Sequence, residues 1–264
     1  MSQIQNHTFA ICAYKDSPYL EKCIKSIKKQ TVKSKVILCT STPSEYIDEL
    51  AKKYDIPVYI RNGASDIKQD WNFAYNCADT DYVTIAHQDD IYHPDYTNEI
   101  LKRIAKSRKQ VTIAITDYLP LKEKSKDGRD INSILRRLLR MPLKLQLLSD
   151  KRWVKKRTLS LGNSICCPTV MYNKAILGAD IFTSDLKFNI DWDTFLKLAC
   201  QAGRFLYVDK PLVMYRIHND ATTMSFIENQ GRYAEDVIMF KKFWPDWFVK
   251  LIMKLYVKAY DTYR

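Results

Sequence analysis

The sequence predicts an α/β protein whose mostly parallel, doubly wound sheet is flanked by helices and followed by a helical C-terminal extension. Three observations carry that prediction. Short β-rich runs alternate with helix-spaced apolar stripes through the first 120 residues. Helix-start signals fall between those runs, at Thr42-Pro43-Ser44-Glu45 and at Pro94. Beyond Tyr233 the pattern is helical again, broken by Pro245.

The elements follow in order. Phe9–Tyr14 reads as a buried strand, and Pro18–Gln30 as a helix with Leu20, Cys23, Ile24 and Ile27 on one face. Val36–Cys39 is a second strand. The capping box at Thr42 predicts a helix with proline in its first position and Ile47, Leu50 and Ala51 buried. Pro57–Ile60 is a third strand and Asp70–Cys77 a short helix. Tyr82–Ala86 is a fourth strand, running directly into His87-Gln88-Asp89-Asp90. Pro94 opens a helix through Ile100, Leu101 and Ile104, and Val111–Thr116 is the next strand. Such a succession implies right-handed crossovers, with ligands bound beyond the carboxyl ends of the strands.

After residue 120 the order weakens. Lys122–Asp130 is charged and reads as a loop. Ile131, Ile134, Leu135, Leu138 and Leu139 recur at helical spacing, with Arg136, Arg137 and Arg140 on the other side. Trp192–Ala202 reads as a helix and Phe205–Val208 as a strand. The expected organisation is a main domain over 1–225, carrying a basic helical insertion at 122–160, and an extension over 226–264.

A chain of 264 residues that is 46% hydrophobic can bury one substantial core. Lys+Arg number 42 against 30 Asp+Glu, a net charge of +12 that suits a nucleotide diphosphate, an acidic membrane face or a nucleic acid. No nucleic-acid recognition motif accompanies it. The 7 cysteines form no CxxC pair and no zinc spacing. Their odd count, with no hydrophobic targeting core at Met1–Thr8, predicts a reducing, cytoplasmic setting. No run of about 18 apolar residues predicts a membrane-spanning helix.

Two adjacent carboxylates, Asp89 and Asp90, end a strand at the mouth of the sheet. They are costly there unless something cationic binds them, and a hard divalent ion with oxygen ligands also grips phosphate oxygens. As an isolated pair they would read as a solvated turn; their position after Tyr-Val-Thr-Ile-Ala favours a metal.

At this point the chain resembles family 2 glycosyltransferases of the GT-A fold, over roughly residues 8 to 225. Phe9-Ala10-Ile11-Cys12-Ala13-Tyr14 with Tyr19-Leu20, Ser26-Ile27 and Gln30 resembles the opening strand and helix. Asp70-Trp71-Asn72 falls where donor-contacting residues belong. Tyr82 to Asp90, then His93-Pro94-Asp95, resembles the Asp-x-Asp region. Asp191-Trp192-Asp193 with Leu196 and Leu198 resembles the catalytic-base segment, and Pro211-Leu212, Tyr215-Arg216 and His218 the closing motif.

The resemblance implies a transferase that inverts the anomeric centre of a nucleotide-sugar donor, UDP-linked by family frequency, with Mn2+ or Mg2+ as cofactor. Ala13 and Tyr14 would line the base pocket, with Asp70 and Asn72 near the nucleoside. Asp89 would bind the metal and Asp90 support it or the donor sugar. Asp191 would be the general base, and Arg216 and His218 would meet the diphosphate or metal. The residue types suit that chemistry, since charge develops on a diphosphate and a weakly acidic hydroxyl must lose its proton. The implied setting is surface-polysaccharide assembly with a glycan or lipid-linked acceptor.

Three positions depart from the family pattern. His87 stands at the first acidic position of the Asp-x-Asp region, Lys15 where Asn is common, and Thr40-Ser41 where many members carry Asp. Asp193 competes with Asp191 as base, one of the two capping the helix that follows. Asn163 and Pro168 read equally as an acceptor loop or a surface turn. The 131–140 helix fits docking on the core by its apolar stripe or an anionic membrane surface, as does Phe243–Tyr260 with its aromatics among lysines. Two such segments favour a peripheral enzyme on the inner membrane face. A sugar-nucleotide pyrophosphorylase would want a glycine-rich loop after the first strand, which Tyr14-Lys15-Asp16-Ser17 lacks. A non-catalytic scaffold is disfavoured by retention of Asp89 and Asp191.

Overall fold

The structure, a computed structural model, describes residues 6–122, 131–217 and 231–257. In chain order its elements are β1 (His7–Ala13), α1 (Leu20–Lys28), β2 (Lys35–Thr40), α2 (Glu45–Tyr54), β3 (Val58–Ile60), α3 (Ile67–Cys77), β4 (Tyr82–His87), β5 (Ile91–Tyr92), α4 (Tyr96–Ala105) and β6 (Val111–Lys122). There follow α5 (Ile131–Arg140), a 3-10 turn at Met141–Lys144, α6 (Arg152–Leu159), a 3-10 turn at Cys167–Thr169, β7 (Val170–Asn173), α7 (Lys174–Leu177), α8 (Ile190–Cys200), β8 (Arg204–Ile217), α9 (Gly231–Lys241) and α10 (Asp246–Tyr256).

The described strands form one sheet in the order β3-β2-β1-β4-β7-β6-β8-β5. Its first half, β3-β2-β1-β4, is parallel throughout. The short β7, which the sequence reading did not anticipate, is antiparallel to both β4 and β6. β6 and β8 pair in parallel, with the register slipping where Asp117 faces Pro211. Proline brings no N–H to the ladder, and Asp209-Lys210 bulge out just before it. Both strands run well past their expected ends, because the pairing resumes beyond the slip.

Strand β1 shows why the sheet is buried on both faces. Phe9, Ile11 and Ala13 pack with Leu20, Cys23, Ile24 and Ile27 of α1, while Ala10 faces the opposite cluster with Ala74 and Tyr75 of α3. That second cluster also contains Trp192 and Phe195 of α8 with Met239, Phe240, Val249 and Met253, so α9 and α10 share the core of the sheet. Trp192 meets Phe240 edge-on at 5.1 Å and donates its indole N–H to the Leu159 carbonyl at 3.0 Å.

Two expectations change. Helix α2 starts at Glu45, because the Ser44 hydroxyl caps it by accepting from the Ile47 N–H at 3.3 Å. The Thr42 hydroxyl is engaged elsewhere, accepting from the Lys15 N–H at 2.8 Å.

Helix α5 corrects the other: it docks on the core through its arginines, not its apolar stripe. Arg140 is fully buried and pairs with buried Asp117 at 2.6 Å, its guanidinium over the rings of Tyr118 and Tyr207. Arg137 pairs with Asp209 at 2.9 Å. Ile131, Ile134, Leu135 and Leu138 are 75%, 44%, 52% and 60% exposed. Carboxylates beside the register slip need countercharge inside the fold, and that requirement turns the helix over.

Candidate active site

A cleft of about 620 Å³ opens at the carboxyl ends of β1 and β4, lined by Ala13, Tyr14, Asp70, Trp71, His87, Gln88, Asp89, Arg136, Asn163 and Asp191 among others. Because β1 and β4 are parallel neighbours, with Cys12 opposite His87, both strand ends release their loops at the same place. Gln88 ties them together. Its side-chain oxygen accepts from the Tyr14 N–H at 2.9 Å, and its amide donates to the Tyr14 carbonyl at 3.0 Å. Lys15 then turns away at φ 52°, in the left-handed region that Asn enters more easily. Its bond to Thr42 holds it there.

His87, Asp89 and Asp90 place ligand atoms within 4.8 Å of one another. Asp90 is fully buried. One of its oxygens accepts from the Arg216 N–H at 2.9 Å, and the other has no hydrogen-bond partner among the described residues. Burial, reinforced by the neighbouring Asp89, pushes the Asp90 carboxyl well above its ordinary range. Trp71 of α3 stacks on the His87 ring at 5.3 Å, and the Nε2 of that ring is also without a partner among the described residues. Burial lowers the His87 pKa, keeping the imidazole neutral as a ligand must be. Orphaned polar atoms this close to two carboxylates fit a divalent cation with oxygen and nitrogen ligands. The sequence marked His87 only as a departure from pattern; the structure brings it into the cluster.

Asp191 occupies another part of the cleft lining. It accepts from its neighbour's Trp192 N–H and from the Asn163 amide, each at 2.8 Å. Burial pushes its pKa up to about 6, against the pull of those two hydrogen bonds and of Arg136. A carboxylate poised there can take a proton near neutral pH. Its rival Asp193 faces away, paired with Lys242 at 2.6 Å and Lys197 at 3.0 Å. Burial opposes the ionised form, but the two ammonium groups hold the Asp193 carboxyl below its ordinary value.

The segment carrying Asp191 is clipped from the C-terminal helices. Glu235 of α9 accepts from the N–H groups of Lys187, Phe188 and Asn189 at 2.7, 2.9 and 2.8 Å, just before α8 begins. Arg232 and Tyr256 of α9 and α10 also line the cleft. No local signal in the sequence pointed to them. Arg136, on the side of α5 opposite the apolar stripe, reaches the cleft because the helix docks through its arginines.

The remaining candidates divide. Asp70 lines the cleft with both oxygens engaged: Arg61 at 2.7 Å on one, Ser65 and Ser41 at 2.8 and 3.1 Å on the other. Asn72 does not line it; its amide pairs in both directions with the Phe182 backbone at 2.9 and 3.0 Å. Arg216 donates from Nε to the Asp89 carbonyl at 3.0 Å and lies over the Tyr19 ring at 4.3 Å, which fixes the loop around both acids. His218 lies outside the described residues.

Known proteins share this fold. The profile described as Glycosyl transferase family 2 matches residues 8–162. The crystal structure of S. aureus TarS 1-349 superposes with a TM-score of 0.60 at 15% identity, over 94% of this chain and 69% of that one. Mannosyltransferase PcManGT from Pyrobaculum calidifontis, in complex with GDP-Man and Mn2+, gives 0.61 at 15%, over 91% and 64%. Glucosyl-3-phosphoglycerate synthase from Mycobacterium tuberculosis, with Mn2+, UDP and phosphoglyceric acid, gives 0.56 at 12%, over 91% and 79%. No curated protein matches the chain. Structural likeness at such identities speaks for the fold, while the profile spans more than half of the sequence. The chain therefore belongs to glycosyl transferase family 2 and is a glycosyltransferase with the GT-A fold.

Proposed function

We propose that the chain transfers a sugar from a nucleoside-diphosphate donor, by default a UDP-sugar, to a hydroxyl acceptor with inversion at the anomeric carbon. The observation that carries this reading is that the Asp89–Asp90–His87 cluster and the pKa-raised Asp191 line or adjoin one cleft. Asp191 takes the proton of the attacking hydroxyl, held in orientation by Asn163. Ala13, Tyr14 and Asp70 form the nucleotide end, Asp70 through the wall it builds with Arg61 and Ser65. Arg216 and Arg136 bring positive charge toward the diphosphate. Asp89, Asp90 and His87 would hold Mn2+ or Mg2+, which supplies charge neutralisation for the leaving diphosphate. His218 is proposed to join them.

Residues 1–225 are proposed as the transferase unit and 226–264 as an extension that positions Asp191. The acceptor is proposed to be a glycan or a lipid-linked sugar of surface-polysaccharide assembly. The exposed stripe of α5, together with Trp247 and Leu255 of α10 at 70% and 67% exposure, supports a peripheral site on an anionic membrane, as does the net charge of +12. Among the described residues no helix is long and apolar enough to cross a bilayer.

The test is transfer and donor hydrolysis across UDP-, GDP- and dTDP-sugars, with and without Mn2+. Metal-dependent turnover of one donor class is expected. Indifference of both activity and thermal stability to every nucleotide would end the proposal. Flotation with anionic vesicles at low salt tests the membrane contact, and failure to float would remove it.

A further inference from the structure

A second cavity, of about 350 Å³, lies between the C-terminal end of α4, the 3-10 turn after α5 and the start of β8. It shares no lining residue with the donor cleft. Arg103, Lys106, Lys144 and Arg204 line it, and among the described residues no carboxylate does. Lys144 already pairs with Asp209 at 2.8 Å. Arg103 and Lys106 are exposed at the end of a helix, where cations complement the helix dipole whatever else they do.

Arg204 has no such ordinary explanation. It is 4% exposed, and among the described residues its guanidinium donates only to neutral acceptors, the Ser107 hydroxyl and the Gln146 carbonyl, each at 2.8 Å. Its Nε is buried with no partner among the described residues. Ser149, 1% exposed on the same lining, also has a buried hydroxyl with no partner among them. A buried guanidinium without a countercharge is expensive, and an orphaned donor beside it adds to the cost. An anion in the cavity removes both penalties at once.

We propose that this cavity is a binding site for a phosphoryl-bearing anion, separate from the donor cleft. Arg204 and Ser149 donate hydrogen bonds from inside, and Arg103 and Lys106 close over the anion from the rim. Guanidinium and hydroxyl donors around a compact space suit tetrahedral oxyanion geometry. The same chemistry is presented by free phosphate and by the phosphodiester of an anionic lipid headgroup. Leu145 and Leu147, 58% and 83% exposed, alternate in sequence with the lining residues Lys144 and Gln146 and leave both sources sterically reasonable.

The test is calorimetric titration of the full chain with inorganic phosphate at low salt, with and without UDP plus Mn2+. Saturable binding is expected, insensitive to UDP, and weakened about tenfold by the surface pair Arg103→Ala/Lys106→Ala. Ser149→Ala should weaken it by a smaller factor. No saturable binding, displacement by UDP, or equal affinity in the rim variant would overturn the proposal. Cosedimentation with phosphatidylglycerol vesicles then separates the sources. Loss in the rim variant identifies a lipid headgroup, and retention identifies a soluble phosphate, with the site standing in either case. Because phosphate binding is read without turnover, its failure is distinct from failure of the glycosyl-transfer reading.

Discussion

At the end of β4, Asp90 lies buried with one oxygen on the Arg216 N–H and the other with no hydrogen bond among the described residues. At the start of α8, Asp193 is nearly as buried but carries two lysines on its carboxylate. The fold neutralises one acid with its own side chains and leaves the other unsatisfied beside Asp89 and a neutral histidine. Asp191 lies between these extremes, hydrogen-bonded but not ion-paired, with its pKa pushed up to about 6. The difference teaches that burial of a carboxylate says little by itself. On the proposed reading, what separates a structural acid from a working one is whether the protein supplies the countercharge.

Substitutions at Asp191, Asp193 and Asp90's neighbour Asp89 can break that comparison. Asp191→Asn should lower kcat by roughly 10²- to 10⁴-fold while leaving calorimetric affinity for UDP and Mn2+ unchanged. Asp89→Asn should lower turnover by roughly 10²- to 10³-fold and abolish the Mn2+-dependent stabilisation by nucleotide in a thermal shift. If the two variants lost metal and turnover in the same proportion, the separation of roles would be wrong.

The acidic limb of the rate profile sharpens it further. Asp191 accepts a proton only when ionised, so kcat should be flat above pH of about 6 and fall about tenfold per unit below it. Asn163→Ala removes a hydrogen bond that favours the ionised form and should move that limb to higher pH. Asp193→Asn belongs to the structural side. It should cost about 1–3 kcal/mol in urea unfolding and leave the limb where it was. The smallest effect on the fold is expected at α5, where Leu135→Glu should change stability by less than about 0.5 kcal/mol yet reduce vesicle flotation.

How much of this was legible in the sequence follows the same line between local and long-range causes. The parallel half was readable because its strands and helices announce themselves by periodicity, although the caps are Ser44 and Asp66 where the sequence pointed to Thr42 and to a helix beginning at Asp70. The four-residue β7 was not, since its place is set by partners distant in the chain. Helix α5 was readable as amphipathic, but its orientation depends on Asp117 and Asp209, brought together only by the slip between β6 and β8. Asp89, Asp90 and Asp191 could be named from motif position. The lysines that remove Asp193 from contention could not, because Lys242 reaches it from α9's end across a gap of 49 residues.

The most direct test is electron paramagnetic resonance of Mn2+ titrated into the full chain with UDP. Wild-type protein should show bound Mn2+ whose spectrum changes on adding UDP, and the His87→Ala/Asp89→Asn/Asp90→Asn variant should leave the ion free in solution. Equal Mn2+ binding by that variant, with the same response to UDP, would contradict the assignment of this corner as the cation site.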